Sequence, residues 1–145
     1  MHRLAILIFC FCFQFSYSQT VIDWSTLSDI SFSDVYMDEV DEYFLYPHFG
    51  PSVRELEGKE IIIRGFVLAI DPTDNYYILS KGPFSSCFFC GVGGPETVIE
   101  LDMKSKNKVF IMDEVVTMRG ILKLNADDIY HCNYILKDAT VYLGP

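Results

Sequence analysis

Apolar and polar positions change rhythm along the chain, and the change marks a β domain. Over 60–70 both parities are apolar. Ile61, Ile63, Val67 and Ala69 fall on one, Ile62, Phe66, Leu68 and Ile70 on the other, and only Arg64 breaks the second set. Side chains alternate faces along a strand, so this pattern predicts a strand covered on both sides. Asp71-Pro72-Thr73-Asp74-Asn75 is a turn, and 76–81 is a second strand that closes a hairpin on the first. Over 96–103, Thr97, Ile99, Leu101 and Met103 alternate with Val98, Glu100 and Asp102. The clearest alternation is over 114–124, where Val116, Met118, Gly120, Leu122 and Leu124 oppose Thr117, Arg119 and Lys123. Asn125-Ala126-Asp127-Asp128 is a turn, and 134–143 is a last strand. The first and fourth strands each carry Arg-Gly at mid-strand, Arg64-Gly65 and Arg119-Gly120. A glycine there marks a tight bend or bulge, and two bends in five strands suit a small coiled barrel.

The chain before the strands has a different period. Val35, Tyr36, Val40, Tyr43 and Phe44 recur at helical spacing among acidic residues, which predicts a short amphipathic helix over 33–44. Tyr46-Pro47-His48-Phe49-Gly50-Pro51 follows as a turn-rich connector, with one helical turn over 52–57. Still earlier, a basic start (Met1-His2-Arg3) leads into an apolar run over 4–15 and then Ser16-Tyr17-Ser18. A membrane-spanning helix needs ~20 apolar residues, so this run is short for one and has the form of a signal peptide cleaved before Gln19. The expected layout is a signal peptide over 1–18, a helical or irregular segment over 19–50 and a barrel domain over 51–145. The fold class is all-β. Localisation is expected to be periplasmic or secreted, with no stable membrane insertion once the signal is removed.

Charge narrows the partners. The chain has 11 Lys and Arg against 20 Asp and Glu, a net charge of −9. Such a surface repels polyphosphate and excludes nucleic acid as an expected partner. Motifs for serine hydrolases, zinc proteases and phosphate loops are absent from the sequence, so a non-enzymatic role is expected.

The stretch Ser80 to Pro95 concentrates the chemistry. It holds Cys87 and Cys90 within a frame of Gly82, Pro83, Gly91, Gly93, Gly94 and Pro95. Glycine and proline exclude regular structure here, so the segment is a shaped loop carrying a dithiol. Cys10 and Cys12 would leave with the signal, and the three remaining cysteines, Cys87, Cys90 and Cys132, cannot all pair within one chain.

The segment Leu56-Glu57-Gly58-Lys59-Glu60-Ile61-Ile62-Ile63-Arg64-Gly65-Phe66 resembles the opening strand of OB-fold domains. Taken with Trp24 and Leu27, Pro47 and Phe49, the cysteine-bearing loop, the Gly-containing strand and the Tyr-rich last strand, the chain resembles the DUF3299 family of exported bacterial proteins. The resemblance implies a five-stranded OB-like barrel. It also implies, by association alone, a periplasmic role near metal-transport components, one of which would be the partner. Many family members have one cysteine followed by a histidine in this loop, where this chain has Cys90. OB topology puts the third and fifth strands side by side and parallel, so it places Cys87 and Cys90 at the same end as Tyr130-His131-Cys132-Asn133.

Three chemistries follow from that cluster. Cys87, Cys90 and Cys132, with His131 or His48, would complete a tetrahedral zinc set, and thiolates also suit copper(I). Metal binding or handling is the leading expectation. A bridge from Cys132 to either loop cysteine would close about forty residues and stabilise by roughly 3–4 kcal/mol on the chain-entropy argument. That staple would leave Phe84, Phe88 and Phe89 as an aromatic contact for a protein partner. Thiol–disulfide exchange is the third reading. It is disfavoured because Gly91-Val92-Gly93-Gly94-Pro95 gives no helix start after the dithiol, and Phe88 and Phe89 offer no charge to a thiolate.

Overall fold

A computed structural model describes residues 20–38 and 40–144. The expected signal peptide and its cleavage site lie outside them. The elements in chain order are β1 (Thr20–Val21), β2 (Ile30–Met37), β3 (Glu42–Phe49), α1 (Pro51–Arg54), β4 (Glu60–Asp71), β5 (Tyr76–Ser80), β6 (Val98–Met103), β7 (Val115–Leu124) and β8 (Tyr134–Val141). Strands β4 to β8 form the barrel in the order β4-β5-β6-β8-β7, and β4 pairs again with β7 to close it. All are antiparallel neighbours except β6 and β8, which run parallel. This is the expected all-β, five-stranded OB-like arrangement.

The two glycines are the bends. β4 pairs with β7 over its first half and with β5 over its second, and Phe66 is shared by both. At the adjacent Gly65 a Cβ would stand 2.6 Å from the Ser80 carbonyl oxygen and 2.9 Å from Leu79 Cγ. At Gly120 it would stand 2.6 Å from the Lys137 carbonyl oxygen, where the β7–β8 register shifts. Strands coil this tightly only where no side chain intervenes.

The barrel interior is filled by Ile61, Ile63, Val67, Tyr77, Leu79, Ile99, Leu101, Met118, Leu122 and Leu136. Leu27, Val53 and Leu56 from the preceding chain join this core. Trp24 Nε1 donates to the Arg64 carbonyl at 2.8 Å, and Tyr134 Oη donates to the Leu27 carbonyl at 2.7 Å. Asp29 fixes the connection into α1: Ser52 N–H and Oγ both donate to its carboxylate, which lowers the Asp29 pKa.

The helix expected over 33–44 is a β-hairpin. β2 and β3 pair antiparallel from Ile30 opposite Phe49 to Met37 opposite Glu42. The connector expected over 46–51 is largely the second strand of that hairpin. Helical spacing and strand pairing compete for the same residues here. Val, Tyr and Phe favour a pleated surface, and Asp41 takes a positive φ of 56° that reverses the chain. Tyr36 then pairs with Tyr43 across the strands, their ring centroids 5.1 Å apart, and Tyr36 Oη donates to the Asp41 carboxylate.

Gly65→Ala drives its methyl group into backbone, so unfolding in urea should show a loss of about 1–3 kcal/mol. An unchanged midpoint would mean that β4 does not bend at this position.

Candidate functional site

Two loops meet on the outside of the barrel wall. Val67, Leu79 and Ile99 point inward, and Leu68, Ile78 and Val98 therefore point out. The register sets Leu68 beside Ile78, Ile78 beside Glu100, and Glu100 beside Ile135. The cysteine loop (81–97) and the β7–β8 loop (125–133) cover this row.

The cysteine loop is built from short 3₁₀ turns at Phe84–Ser86, Phe88–Cys90 and Pro95–Thr97. Cys87 sits between the first two, its carbonyl accepting from the N–H groups of Cys90 and Val92, both at 3.1 Å. Its side chain is 1% exposed and packs on Leu68, Ile78 and Val98. Gly91 ends the turn with φ 78°, a left-handed conformation that favours glycine. The exposed Cys90 Sγ donates to the Phe84 carbonyl at 2.9 Å. Asp113 accepts from the Phe84 N–H at 2.7 Å and ties the loop to the β6–β7 connection.

The β7–β8 loop is wound around Asn125. This 7%-exposed amide donates to the carbonyls of Asp128, His131 and Cys132 and accepts from the Asp128 N–H. Glu100 secures it from the barrel side. Glu100 is buried among apolar neighbours, and its carboxylate accepts from His131 Nδ1 at 2.7 Å and from the Cys132 N–H at 3.2 Å. A carboxylate only accepts, which places the imidazole proton on Nδ1.

Between these loops and the hairpin lies a cleft of about 730 Å³. Phe88, Phe89 and Pro95 form one wall, 126–133 another, and Val35, Met37 and residues 43–46 the third, with Tyr76 and Val98 beneath. Tyr46 Oη reaches the Asp127 carboxylate at 3.4 Å and links two of the walls. On the far side of His131 is a smaller polar cleft of about 380 Å³, lined by Asp102, Lys106, Lys123 and Lys137.

Neither Cys90 nor Cys132 is activated. Burial, followed by the Glu100 charge, pushes Cys132 up to about 12, and burial together with the Cys87 thiol raises Cys90. A reactive cysteine needs cationic or helix-terminal surroundings that act in the opposite direction.

The fold of this chain is similar to the crystal structure of a DUF3299 family protein from Pseudomonas aeruginosa PAO1, with a TM-score of 0.51 and 14% identity. The match covers 88% of this chain and 99% of that one. The chain shares the fold of that protein. No protein-family model matches the sequence, and no curated protein does. At this identity the DUF3299 likeness extends to architecture and leaves the chemistry to the residues themselves.

On this scaffold the expected site residues separate into groups. Cys87 and Cys90 are neighbours, and Cys132 joins the same outer apolar cluster as Cys87. All three are free thiols. His131 points to Glu100. His48 sits on β3 with Nε2 2.8 Å from Ser33 Oγ. Among the described residues no three His, Cys, Asp or Glu side chains converge as metal ligands, so the four-ligand zinc set is not assembled. Phe88 and Phe89 line the cleft, and Phe84 does not. The sequence reading missed Glu100, Asn125 and the hairpin aromatics. An acidic residue on the outward parity of a strand flanked by the cysteine loop was the available signal for Glu100.

The raised Cys132 thiol sets a pH dependence. An unfolded thiol ionises near 9 while the folded one holds its proton, so stability is fully present below pH 9 and falls as pH rises through the window from 9 toward 12. Cys132→Ser should flatten the fall in unfolding temperature between pH 9 and pH 10, before tyrosines at their ordinary value of 10 contribute. Equal slopes in both proteins would contradict the assignment.

Proposed function

We propose that this chain is an exported, non-enzymatic binding module whose working surface is the cleft beside the cysteine loop. The observation that carries the reading is the cleft itself. Its volume of about 730 Å³ falls in the range of ligand sites, which run to roughly 300–1,000 Å³ and are mainly apolar with a few placed polar groups. Phe88 and Phe89 contact each other edge to face at 5.4 Å and present their rings from a loop braced by Asp113. Loops on a rigid barrel are where binding groups concentrate.

A neutral apolar dye, N-phenyl-1-naphthylamine, is expected to brighten on binding here. Phe88→Ala combined with Phe89→Ala should weaken that binding about ten-fold or more, a change of ~1.4 kcal/mol or above. Circular dichroism of the variant should stay that of the parent. Undiminished dye binding in the folded variant would sink the proposal.

A second reading keeps the metal chemistry. It is favoured by the placement of Cys87 and Cys90 at the two ends of one short 3₁₀ turn, since a pair of soft thiolates suits copper(I). Zinc is less well served, because it asks for four ligands. In competition against bicinchoninate under reducing conditions, the chain should withdraw about one equivalent of copper(I). Cys87→Ser with Cys90→Ser should withdraw none, and retention by that variant would remove the reading.

A further inference from the structure

The cleft has a distinct chemical bias. Among the described residues lining it there is no lysine or arginine, while Asp127 and Asp128 stand at its edge. Aromatic rings come from every side: Tyr43, Phe44 and Tyr46 on the hairpin, Tyr76 below, Phe88 and Phe89 on the cysteine loop, and Tyr130 opposite. Ring faces carry negative potential and attract cations, most strongly where water is excluded. Carboxylates beside such rings add to that attraction, and a net charge of −9 extends it outward.

The hairpin adds a backbone feature. Four successive β3 residues, 43–46, line the cleft, whereas β2 contributes the alternate residues Val35 and Met37. Alternate residues mean that a strand offers one face; successive residues mean that it offers an edge. β3 pairs with β2 alone, and residues 43–46 make no backbone hydrogen bond outside the hairpin among the described residues. Its outer row of N–H and C=O groups therefore borders the cleft unpaired. An exposed edge is a template for an added strand, with main-chain bonds giving affinity and alternate side-chain pockets giving selectivity.

We infer that the occupant of the cleft is an extended peptide segment bearing Arg or Lys, which adds as a strand to β3 and sets its cationic side chains among the aromatic rings and against Asp127 and Asp128. The inference rests on the binding-module reading above and supplies its ligand class. Apolar side chains of the segment face Phe88 and Phe89. Its basic side chains alternate with them, as the period of a strand requires.

The test uses three blocked heptapeptides titrated calorimetrically into the protein in ~0.1 M salt, where long-range charge is screened beyond about 10 Å. One alternates Val with Arg, one alternates Val with Glu, and the third is the Arg peptide N-methylated at alternate amides. The Arg peptide is expected to bind at least about ten-fold more tightly than the Glu peptide. N-methylation should abolish binding. Asp127→Asn with Asp128→Asn should shrink the preference to about two-fold, whereas Glu55→Gln with Glu60→Gln, outside the cleft, should leave it. Equal binding of the Arg and Glu peptides, or full binding of the N-methylated peptide, overturns the inference. So does an equal effect of the two double variants, which would assign the attraction to overall charge. Sedimentation showing a dimer that the Arg peptide cannot dissociate would give the edge to a second copy of this chain and also overturn it. If the neutral dye binds and the Arg peptide does not, the ligand class falls and the binding module stands; if neither binds, both fall.

Discussion

Parallel pairing of β6 with β8 is the constraint on which the site depends. Strands that run the same way receive their incoming loops at the same end of a sheet. The cysteine loop leads into β6 and the β7–β8 loop leads into β8, so the pairing alone makes them neighbours. Glu100 then converts neighbourhood into fixed geometry. It lies on β6 directly beside Ile135 of β8, and its two oxygens hold one side chain and one backbone N–H of the incoming loop. A buried carboxylate costs free energy unless it is hydrogen-bonded, and here the loop supplies one bond to each oxygen. Asn125 completes the arrangement from within, which leaves the loop little freedom to move relative to the barrel.

The division of labour between scaffold and site is clean. The barrel core contains Tyr77, whose hydroxyl has no partner among the described residues, yet the ring packs edge-on to Phe110 at 5.2 Å and belongs wholly to the interior. The chemistry lies outside, where apolar contact, carboxylates and an unpaired strand edge share one surface. Cys87 serves that surface as a buried anchor, and Cys90 is the thiol left facing solvent.

Much of the barrel was legible in sequence because period-two alternation and two mid-strand glycines are local signals. The predicted strand over 60–70 is β4, and the glycines at 65 and 120 are the bends. The hairpin was not legible. Val35, Tyr36, Tyr43 and Phe44 satisfy a helical period and a strand pairing equally well, and only the reversal at Asp41 decides between them. The placement of Cys87 and Cys132 in one outer cluster followed from the topology. The direction of His131 did not, because adjacent residues in a loop do not obey strand alternation, and the decisive partner is Glu100, 31 residues away.

The described residues form two hydrophobic clusters rather than one. The larger is sealed inside the barrel, and the smaller, Leu68, Ile78, Cys87 and Val98, is shared between the barrel wall and the cysteine loop. Local opening of a protein costs only what the opening segment buries, so regions with few buried contacts exchange on faster timescales than the core. Lifting the cysteine loop removes Cys87 from this cluster and breaks no pairing between barrel strands. The cysteine loop can therefore open while the barrel stays shut.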